Sequence, residues 1–329
     1  MKNIVLYKNR LLLFCLIVLL ANCSDDAYEI PQAGEGLQND LIKRSVGPNV
    51  VGTTIDFAYA AAISEQSLLS TITVESSIVG AAGTGLENVS YHTNSSGLDV
   101  GVQVGAPAVQ EGNSWKVNFT TDTAAATLRY HYVIPEEARG QSIVFTFKAK
   151  AKDGKEISIK TEPYEISNMS MQLDLVGKDG ETAFFSIEDM KWYNASEAVT
   201  KADKIDLIYL YRNLPTVTFG HSLVSPSADP MYLPNLTLPN GVDRKSKFVK
   251  AWQLQDQQLA RLQYGVYVDD VDLLGKSFTD APDFAINLKA ESGLWVETAD
   301  GKYRAYIFIN ALNNVSKEIK VSIKRLTVK

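Results

Sequence analysis

The sequence predicts an all-β protein built as two β-sandwich domains, the first immunoglobulin-like, with one or two short helices in the second. Segments rich in Val, Ile, Thr, Tyr and Phe recur along the chain between Gly, Asp and Pro residues, which is typical of short strands and turns. Helical periodicity is limited to residues 256–262, which Gly265 ends, and to residues 195–204. A chain of 329 residues is long enough for two domains.

The strongest strand patterns are spread over both halves of the chain, and the alternation of apolar and polar residues indicates which face of each strand is buried. The predicted strands are residues 114–121, 127–134, 142–151, 156–161, 169–176, 182–187, 204–212, 303–310 and 317–328. In the last strand the apolar residues alternate up to Ile323, and Leu326 follows out of phase. We therefore predict a β-bulge near Lys324 or Arg325.

Two turns of the form Lys-Asp-Gly, at residues 152–154 and 178–180, predict β-hairpins. A loop of three residues with Gly in the left-handed position keeps the apolar faces together, whereas a slip of one residue would put them on opposite sides. The first hairpin is predicted to pair Ala149 with Ile157 and Phe147 with Ile159. The same rule at the second turn predicts three pairs: Leu175 with Ala183, Leu173 with Phe185 and Met171 with Ile187.

Pro163 and the polar residues 167–168 mark the predicted boundary between the two domains. Residues 50–165 have the length and strand spacing of an immunoglobulin-like sandwich. Residues 166–329 are the predicted second sandwich, which contains a long loop at residues 213–244 with five of the eleven prolines. That segment is too rich in proline for a central strand, and loops of this length are often functional.

The first 22 residues have the composition of a bacterial lipoprotein signal peptide. Lys2, Lys8 and Arg10 precede an apolar run at residues 11–21, which is shorter than the roughly 20 residues of a spanning helix. Residues 19–23, Leu-Leu-Ala-Asn-Cys, make Cys23 the predicted lipid-accepting residue. The expected partner is the lipid of the outer membrane, since each buried CH₂ contributes about 0.8 kcal/mol and more than one acyl chain makes anchoring stable.

Residues 23–49 are polar, contain Gly and Pro and show no period, which predicts a lipidated tether. Removal of the signal peptide would take away three positive charges and change the formal charge from −6 to −9. An acidic chain of this kind is not expected to bind nucleic acid, because neutralising phosphates requires clustered Lys and Arg. Cys15 would leave with the signal peptide, so neither a disulfide nor thiol catalysis is expected.

No motif for catalysis or for a cofactor occurs in the sequence. It contains no Gly-x-Ser-x-Gly elbow and no Gly-rich phosphate loop, so we predict no catalytic residue, no cofactor and no enzyme activity. His92 and His131 lack the spacing of metal ligands and are expected to be ordinary strand or loop residues. Asp269, Asp270 and Asp272 either bind Ca²⁺ or form a solvated acidic turn, and a calcium ion needs about 6–8 oxygen ligands.

Aromatic and polar side chains in and beside the Pro-rich loop form the predicted ligand site. An aromatic ring packs on the C–H face of a sugar, while amide, carboxylate and guanidinium groups bond its hydroxyls. Tyr232 and Trp252 either provide such a ring or belong to the core. The predicted ligand-binding residues are Tyr232, Asn235, Asn240, Asp243, Arg244, Trp252 and His221.

Three segments carry a resemblance to a known family: residues 124–138 (AAATLRYHYVIPEEA), residues 256–265 (DQQLARLQYG) and residues 295–303 (WVETADGKY). They resemble an uncharacterised family of Bacteroidetes cell-surface lipoproteins of this length. Residues 24–26, Ser-Asp-Asp, also resemble the acidic export signal that follows the lipidated cysteine in such proteins. The resemblance implies two β-sandwich-like domains and a place on the cell surface, often beside glycan-uptake proteins, and it implies no catalytic residue.

Together these observations predict a surface-anchored lipoprotein that binds an extracellular ligand without catalysis. Carbohydrate is the expected ligand, and glycans or glycan-uptake proteins are the expected partners. The alternative is a fimbrial or adhesin-type structural subunit, in which Lys43-Arg44 would be a trimming site before a donated strand. A third reading is a glycoside hydrolase, which requires two carboxylates either about 5–5.5 Å or about 6.5–9.5 Å apart, and a sequence does not give this separation.

Overall fold

The fold is described from a computed structural model that covers residues 34–64, 67–215 and 217–329. Antiparallel strands form two β-sandwiches, which confirms the predicted all-β fold. The signal peptide, Cys23 and the first part of the predicted tether lie outside the described residues. Within the described residues, every helix is too short or too polar to cross a bilayer.

The first sandwich is built from the strands that precede residue 166, and a 3₁₀ turn at Glu136–Ala138 connects two of them. Its strands are β1 (Leu37–Lys43), β2 (Thr54–Ile63), β3 (Leu69–Ser76), β4 (Gly85–Leu86), β5 (Val89–Thr93), β6 (Asp99–Gln103), β7 (Val109–Glu111), β8 (Ser114–Asn118), β9 (Ala125–Val133), β10 (Ser142–Ile143), β11 (Phe145–Ala151), β12 (Glu156–Lys160) and β13 (Tyr164–Glu165).

Two sheets face each other across an aromatic core in this sandwich. One sheet has the order β1-β2-β9-β4 and the other the order β12-β11-β3-β8-β7. The ring centroid of Phe57, on β2, lies 4.9 Å from that of Phe145 and 5.2 Å from that of Phe147, both on β11. Tyr130, on β9, meets Phe147 edge to face. These side chains are fully buried, and each of the three phenylalanines contributes about 1.5–3 kcal/mol to folding.

The first predicted hairpin is confirmed by the pairing of β11 with β12. Ala149 lies opposite Ile157 and Phe147 lies opposite Ile159, as the alternation requires. Gly154 adopts a φ of 92° in the turn, a left-handed conformation that glycine takes without steric cost.

The tether predicted at residues 23–49 is wrong for residues 37–43, because these residues form β1 of the first sandwich. Residues 37–43 pair with β2 over seven positions, from Leu37 opposite Ile63 to Lys43 opposite Phe57. Leu37 is buried in the core, while its neighbours in the strand are more exposed. A single edge strand with one buried face carries few apolar residues, so its composition resembles that of a linker.

The second sandwich is built from the strands after residue 169, together with short helices. Its strands are β14 (Ser170–Lys178), β15 (Phe184–Ser186), β16 (Lys191–Tyr193), β17 (Leu207–Leu214), β18 (Val217–Val224), β19 (Lys247–Ala251), β20 (Phe284–Ala285), β21 (Gly293–Glu297), β22 (Tyr303–Asn313) and β23 (Glu318–Thr327). Its helices are α1 (Ala195–Thr200), α2 (Gln257–Ala260) and α3 (Asp270–Gly275), with 3₁₀ turns at Ala202–Lys204 and Pro230–Tyr232.

One sheet of this sandwich, β14-β23-β22-β21-β19, is buried on both faces, and it packs on the other sheet, β16-β15-β17-β18-β20. Its inner face meets Phe185 and Tyr209 of the other sheet. Its outer face is covered by α2 and α3 through Leu259 and Leu273, and by Val50 of the first sandwich. The outer face of this sheet is therefore where the two sandwiches join.

The second predicted hairpin is wrong, although its turn forms. The N–H of Lys178 donates to the carbonyl of Thr182 at 3.0 Å. Beyond that turn the two strands separate, because β14 pairs with β23 and β15 pairs with β16 and β17. Alternation predicts which face of a strand is buried, but it does not predict which strand lies beside it.

The bulge predicted near Lys324 or Arg325 is also wrong. The register shifts lie in the strands on either side of β23, between Gln172 and Leu175 and between Ile309 and Ala311. Leu326 is out of phase because it faces the outer core, whereas Ile323 faces the inner core. A strand that is buried on both faces shows no simple alternation.

The long loop is shorter than predicted, because residues 217–224 form β18. This strand pairs with β17 on one side and with β20 on the other, so the first part of the predicted loop lies inside a sheet. The loop begins after Val224 and ends at β19, and it keeps Pro226, Pro230, Pro234 and Pro239.

Short helices form at both predicted places, where α1 and α2 lie, and α3 is an additional one. Asn194 caps α1 with a capping box to Glu197, and Asp256 caps α2 by accepting from the N–H of Leu259 at 2.8 Å. Such caps stabilise a helix by about 1 kcal/mol each.

Candidate functional site

Two of the predicted ligand-binding residues hold the Pro-rich loop onto the second sandwich. The ring of Tyr232 stacks on that of Phe284 with centroids 3.8 Å apart. Arg244 donates from Nε to Oδ1 of Asp206 at 2.9 Å and pairs with Asp300 at 3.1 Å. Burial raises the pKa of Asp206 to about 6 despite the nearby guanidinium. These contacts give Tyr232 and Arg244 a structural role, and their role in ligand binding stays a prediction.

His221 is buried on β18 and takes part in a different cluster. Its Nδ1 lies 2.6 Å from the hydroxyl of Tyr209, and its Nε2 lies 2.7 Å from Oδ1 of Asn314. Burial lowers the pKa of His221, so the neutral imidazole is favoured near neutral pH. The prediction that it lies in the long Pro-rich loop is wrong, because His221 is part of β18 and pairs with Tyr211 of β17.

The remaining predicted residues are on the surface. Asn235, Asn240 and Asp243 are exposed along the loop. Trp252 follows the edge strand β19, and 55% of its side chain is accessible. The ammonium of Lys250 lies 5.1 Å from the centre of its ring. No hydrogen bond or ring contact in the described part of the chain joins Trp252 to the loop, so the predicted site is not assembled as one unit.

Exposed aromatic side chains are concentrated in one segment, residues 252–266, which we call the aromatic surface segment. Among the described residues, only Trp252 and Tyr264 are aromatic side chains of high exposure, and 78% of Tyr264 is accessible. Leu262 and Val266 are exposed in the same segment. Tyr264 was not among the predicted ligand residues, because its position in the sequence does not distinguish it from the buried tyrosines.

A cleft of about 250 Å³ adjoins this segment and is lined by the polar side chains Asp174, Arg261, Glu291, Asn310 and Lys320. We call it the polar cleft. Arg261 and Asp174 are paired at 2.7 Å, and Glu291 accepts a long hydrogen bond of 3.5 Å from Gln255. Leu262 also lines this cleft and links it to the aromatic surface segment.

A second cleft lies between the two sandwiches and has a volume of about 490 Å³. Its walls come from Gly52 and Arg139 of the first sandwich and from Ser170, Gln172 and Arg325 of the second. We call it the interdomain cleft. Clefts of this size at domain junctions are common places for small ligands.

The second sandwich also contains a buried ion pair that the sequence did not predict. Lys324 and Asp256 both have side chains with 0% exposure, and their Nζ and Oδ2 atoms are 2.6 Å apart. Lys324 also donates to the carbonyl of Val268 at 2.8 Å. Burial lowers the pKa of Lys324, whereas the carboxylate of Asp256 opposes this shift. The feature of the sequence that could have indicated a buried Lys324 is the break in apolar and polar alternation near this position in the last strand.

The acidic run at residues 269–272 caps α3. Oδ1 of Asp269 accepts from the N–H of Asp272 at 3.0 Å, and Oδ2 of Asp272 accepts from the N–H of Asp269 at 3.2 Å. This reciprocal capping box gives the carboxylates of Asp269 and Asp272, two of the three in the run, a structural role at the start of the helix. No group of three or more His, Cys, Asp or Glu side chains in the described residues is arranged to hold a metal ion.

Two family profiles together match nearly all of the described chain. One is a domain of unknown function, DUF4466, at residues 34–166, and the other is a domain of unknown function, DUF8576, at residues 167–328. A solved structure of a DUF4466 family protein from Parabacteroides merdae is 39% identical in sequence, with a TM-score of 0.84. That match covers 90% of this chain and 100% of the other. The chain belongs to the DUF4466 family.

Membership of this family confirms the predicted resemblance to an uncharacterised Bacteroidetes family and the predicted two-sandwich fold. Other solved structures are much less similar to this DUF4466 family member. MyfA, the major subunit of Myf fimbriae from Yersinia enterocolitica, is 9% identical, with a TM-score of 0.23 over 40% of this chain and 98% of its own. BcpA, the major pilin subunit of Bacillus cereus, is 9% identical, with a TM-score of 0.30 over 87% of this chain and 66% of its own. No curated protein matches the chain.

Proposed function

We propose that this DUF4466 family member binds an extracellular carbohydrate without catalysis and is held at the outer surface of the outer membrane by acyl chains on Cys23. The observation that carries the proposal is the concentration of exposed aromatic side chains, Trp252 and Tyr264, in one segment beside the polar cleft. An exposed aromatic side chain loses little conformational entropy on binding because it has few rotatable bonds, and its ring gains apolar contact with a sugar face.

The polar cleft supplies the hydrogen-bonding groups that such a ligand requires. Glu291 accepts from sugar hydroxyls, and Lys320 donates to them. The Arg261 and Asp174 pair holds the loop after α2 in place, so the ring of Tyr264 is presented from an anchored segment. Side chains that are already held in place lose less conformational entropy when a ligand binds.

The test is native gel retardation of the purified protein in gels that contain soluble polysaccharides of different composition. We expect at least one polysaccharide to slow migration, and we expect Trp252→Ala and Tyr264→Ala each to weaken this effect by about tenfold, which corresponds to about 1.4 kcal/mol. Val315→Ala is the matched control, because it removes an exposed apolar side chain from the β22–β23 turn.

Tryptophan fluorescence gives a second readout. Trp252 is the only highly exposed one of the four tryptophans, all of which lie in the described residues. Binding at the aromatic surface segment should change its emission, and Trp252→Phe should remove that change. The proposal would be contradicted if no neutral or acidic polysaccharide slowed the migration of the protein. It would also be contradicted if the same polysaccharide slowed Trp252→Ala and Val315→Ala equally.

A structural subunit is the second candidate, and β1 is the observation that favours it. This edge strand ends at Lys43-Arg44, and its removal would free the hydrogen-bonding edge of β2 for a strand from another copy. Trypsin treatment followed by size-exclusion chromatography tests this. Growth of oligomers after cleavage at Arg44 supports assembly, whereas an intact monomer argues against it.

A further inference from the structure

The interdomain cleft contains an arginine, Arg325, that has no acidic partner within the described part of the chain. Arg325 donates from Nη2 to the hydroxyl of Ser170 at 2.9 Å and from Nη1 to the carbonyl of Glu188, and its carbon Cζ lies 5.0 Å from the centre of the Tyr303 ring. Its Nε is buried without a hydrogen-bond partner. In the described residues no carboxylate forms an ion pair with this guanidinium. Because the buried Nε–H is out of reach, two N–H groups remain for a ligand, one on Nη1 and one on Nη2.

The other charges around the cleft are already paired. Arg139 donates from Nε and Nη2 to the carboxylate of Glu136 at 2.5 and 2.8 Å. Glu188 pairs with Lys204 at 2.6 Å and with Lys302 at 3.5 Å. Asp189, the next residue, accepts from the hydroxyl of Tyr193 at 2.8 Å and lies 3.4 Å from the same lysine, Lys204. Among the described residues that line or adjoin this cleft, Arg325 is therefore the charged side chain without an oppositely charged partner.

The walls of the cleft are held in place by bonds between the sandwiches. Nη1 of Arg139, from the first sandwich, donates to the carbonyls of Asn168 and Met169 at 3.2 and 2.6 Å, at the start of the second. Gly52 contributes a wall without a side chain, and a Cβ there would meet no atom within 4 Å. The cleft is therefore an anchored, positively charged space of about 490 Å³, and that is within the size range of small-ligand sites.

We propose that the interdomain cleft binds an oxyanion, a carboxylate or sulfate group carried by a small ligand or by a unit of an acidic polysaccharide, through the guanidinium of Arg325. A guanidinium fork matches the geometry of such groups and binds them through two parallel N–H···O bonds. Ser170 and Gln172, which line the same cleft, are placed to bond other oxygens of the ligand. This site is separate from the aromatic surface segment and does not depend on it.

The test is isothermal titration calorimetry of the full-length purified protein, with sodium sulfate, sodium glucuronate and glucose added in separate titrations at constant ionic strength. We expect saturable binding of at least one of the two anions and none of glucose. Sulfate alone would identify sulfated ligands as the source of the oxyanion, and glucuronate alone would identify uronic acids. Absence of binding for both anions would overturn the proposal.

Three variants place the binding in the cleft, and the two glutamine variants leave the bonds of Arg325 to the fold intact. Gln172→Glu adds a negative charge at an exposed wall position and should weaken anion binding by about tenfold or more. Gln110→Glu, on exposed strand β7 of the first sandwich, changes the net charge equally and should change binding less than about twofold. Arg325→Lys keeps the charge but loses the fork, and should weaken binding by about tenfold. Equal effects of Gln172→Glu and Gln110→Glu would show a nonspecific charge effect and refute the site.

Discussion

Replacement of Lys324 by Met is the sharpest test of the architecture, because it removes a fully buried cation from the sheet that joins the two sandwiches. The change leaves the carboxyl group of Asp256 without its cationic partner at 0% exposure. It also leaves the carbonyl of Val268 without the donor that lies 2.8 Å away. Breaking one side of a buried ion pair costs about 3–5 kcal/mol, most of it from the uncompensated charge that remains.

Asp256→Asn should cost at least as much, because Asp256 carries three contacts. Its Oδ1 caps α2, and its Oδ2 accepts from the N–H of Val268 at 2.6 Å as well as from Lys324. In Asp256→Asn, an NH₂ group in place of Oδ2 would face two other hydrogen-bond donors, the N–H of Val268 and the ammonium of Lys324. The double variant Asp256→Asn/Lys324→Met removes both charges, so we expect it to be more stable than the sum of the single effects predicts, by about 1–3 kcal/mol.

Urea unfolding of the purified protein, followed by tryptophan fluorescence, measures these differences. A loss of 4 kcal/mol corresponds to a fall in Tm of about 8–16 °C for a domain of this size. Lys320→Met is the matched control, because Lys320 lies on β23 four residues before Lys324 and is exposed; its effect should stay within about 0.5 kcal/mol. If Lys324→Met cost less than about 1 kcal/mol, the reasoning from a buried, paired charge would be refuted.

Three further perturbations test separate parts of the molecule by urea unfolding. His131 lies between the carboxylates of Asp56 and Glu87. Burial lowers the pKa of His131, but the hydrogen bonds to these carboxylates raise the pKa above its usual value. The stabilising effect of His131 is therefore present at acid pH and is lost as pH rises through the raised pKa, and His131→Gln should remove this pH dependence. Arg244→Ala should destabilise by about 3–5 kcal/mol at neutral pH, and less below about pH 6, where Asp206 is protonated. Gly293→Ala should cost about 1–3 kcal/mol, because the new methyl overlaps the buried ring of Tyr306.

Each of these has an outcome that would contradict it. A pH profile of His131→Gln that is parallel to that of the parent would show that the histidine does not titrate with folding. A loss in Arg244→Ala that is the same at neutral and acid pH would mean that the charge of Asp206 is not what the arginine compensates. Gly85→Ala is the control for the glycine, since a Cβ there meets no atom within 4 Å, and equal losses would disprove the steric argument.

Local patterns in the sequence were sufficient to predict structure where the partners are close along the chain. The β11–β12 register followed from the alternation of Phe147, Ala149, Ile157 and Ile159 and from one glycine in the turn. The same reasoning failed for β14 because its partner, β23, lies about 150 residues away and is chosen by the packing of the whole sheet. β1 and β18 were missed for a related reason, since an edge strand has few apolar residues and a proline at a strand end resembles a loop.

The ligand residues show the same limit more sharply. Tyr232 and Trp252 are equivalent as sequence features, yet one ring stacks on Phe284 in the core and the other is exposed beyond an edge strand. Arg244 resembled a surface donor and instead neutralises a buried carboxylate. Whether an aromatic or charged side chain is free for a ligand depends on residues that are distant in the sequence.

The sequence alone determined that the chain is rich in strands, that it forms two sandwiches and how its first hairpin is registered, because residue propensity and alternation act over neighbouring positions. Only the tertiary structure decided which strands lie side by side and that Lys324 and Asp256 meet inside a sheet. It also decided that Trp252 and Tyr264 are exposed and that, among the described residues, no carboxylate pairs with Arg325. The physical reason is that burial and charge pairing are properties of contacts between distant segments, and a local pattern contains no information about those contacts.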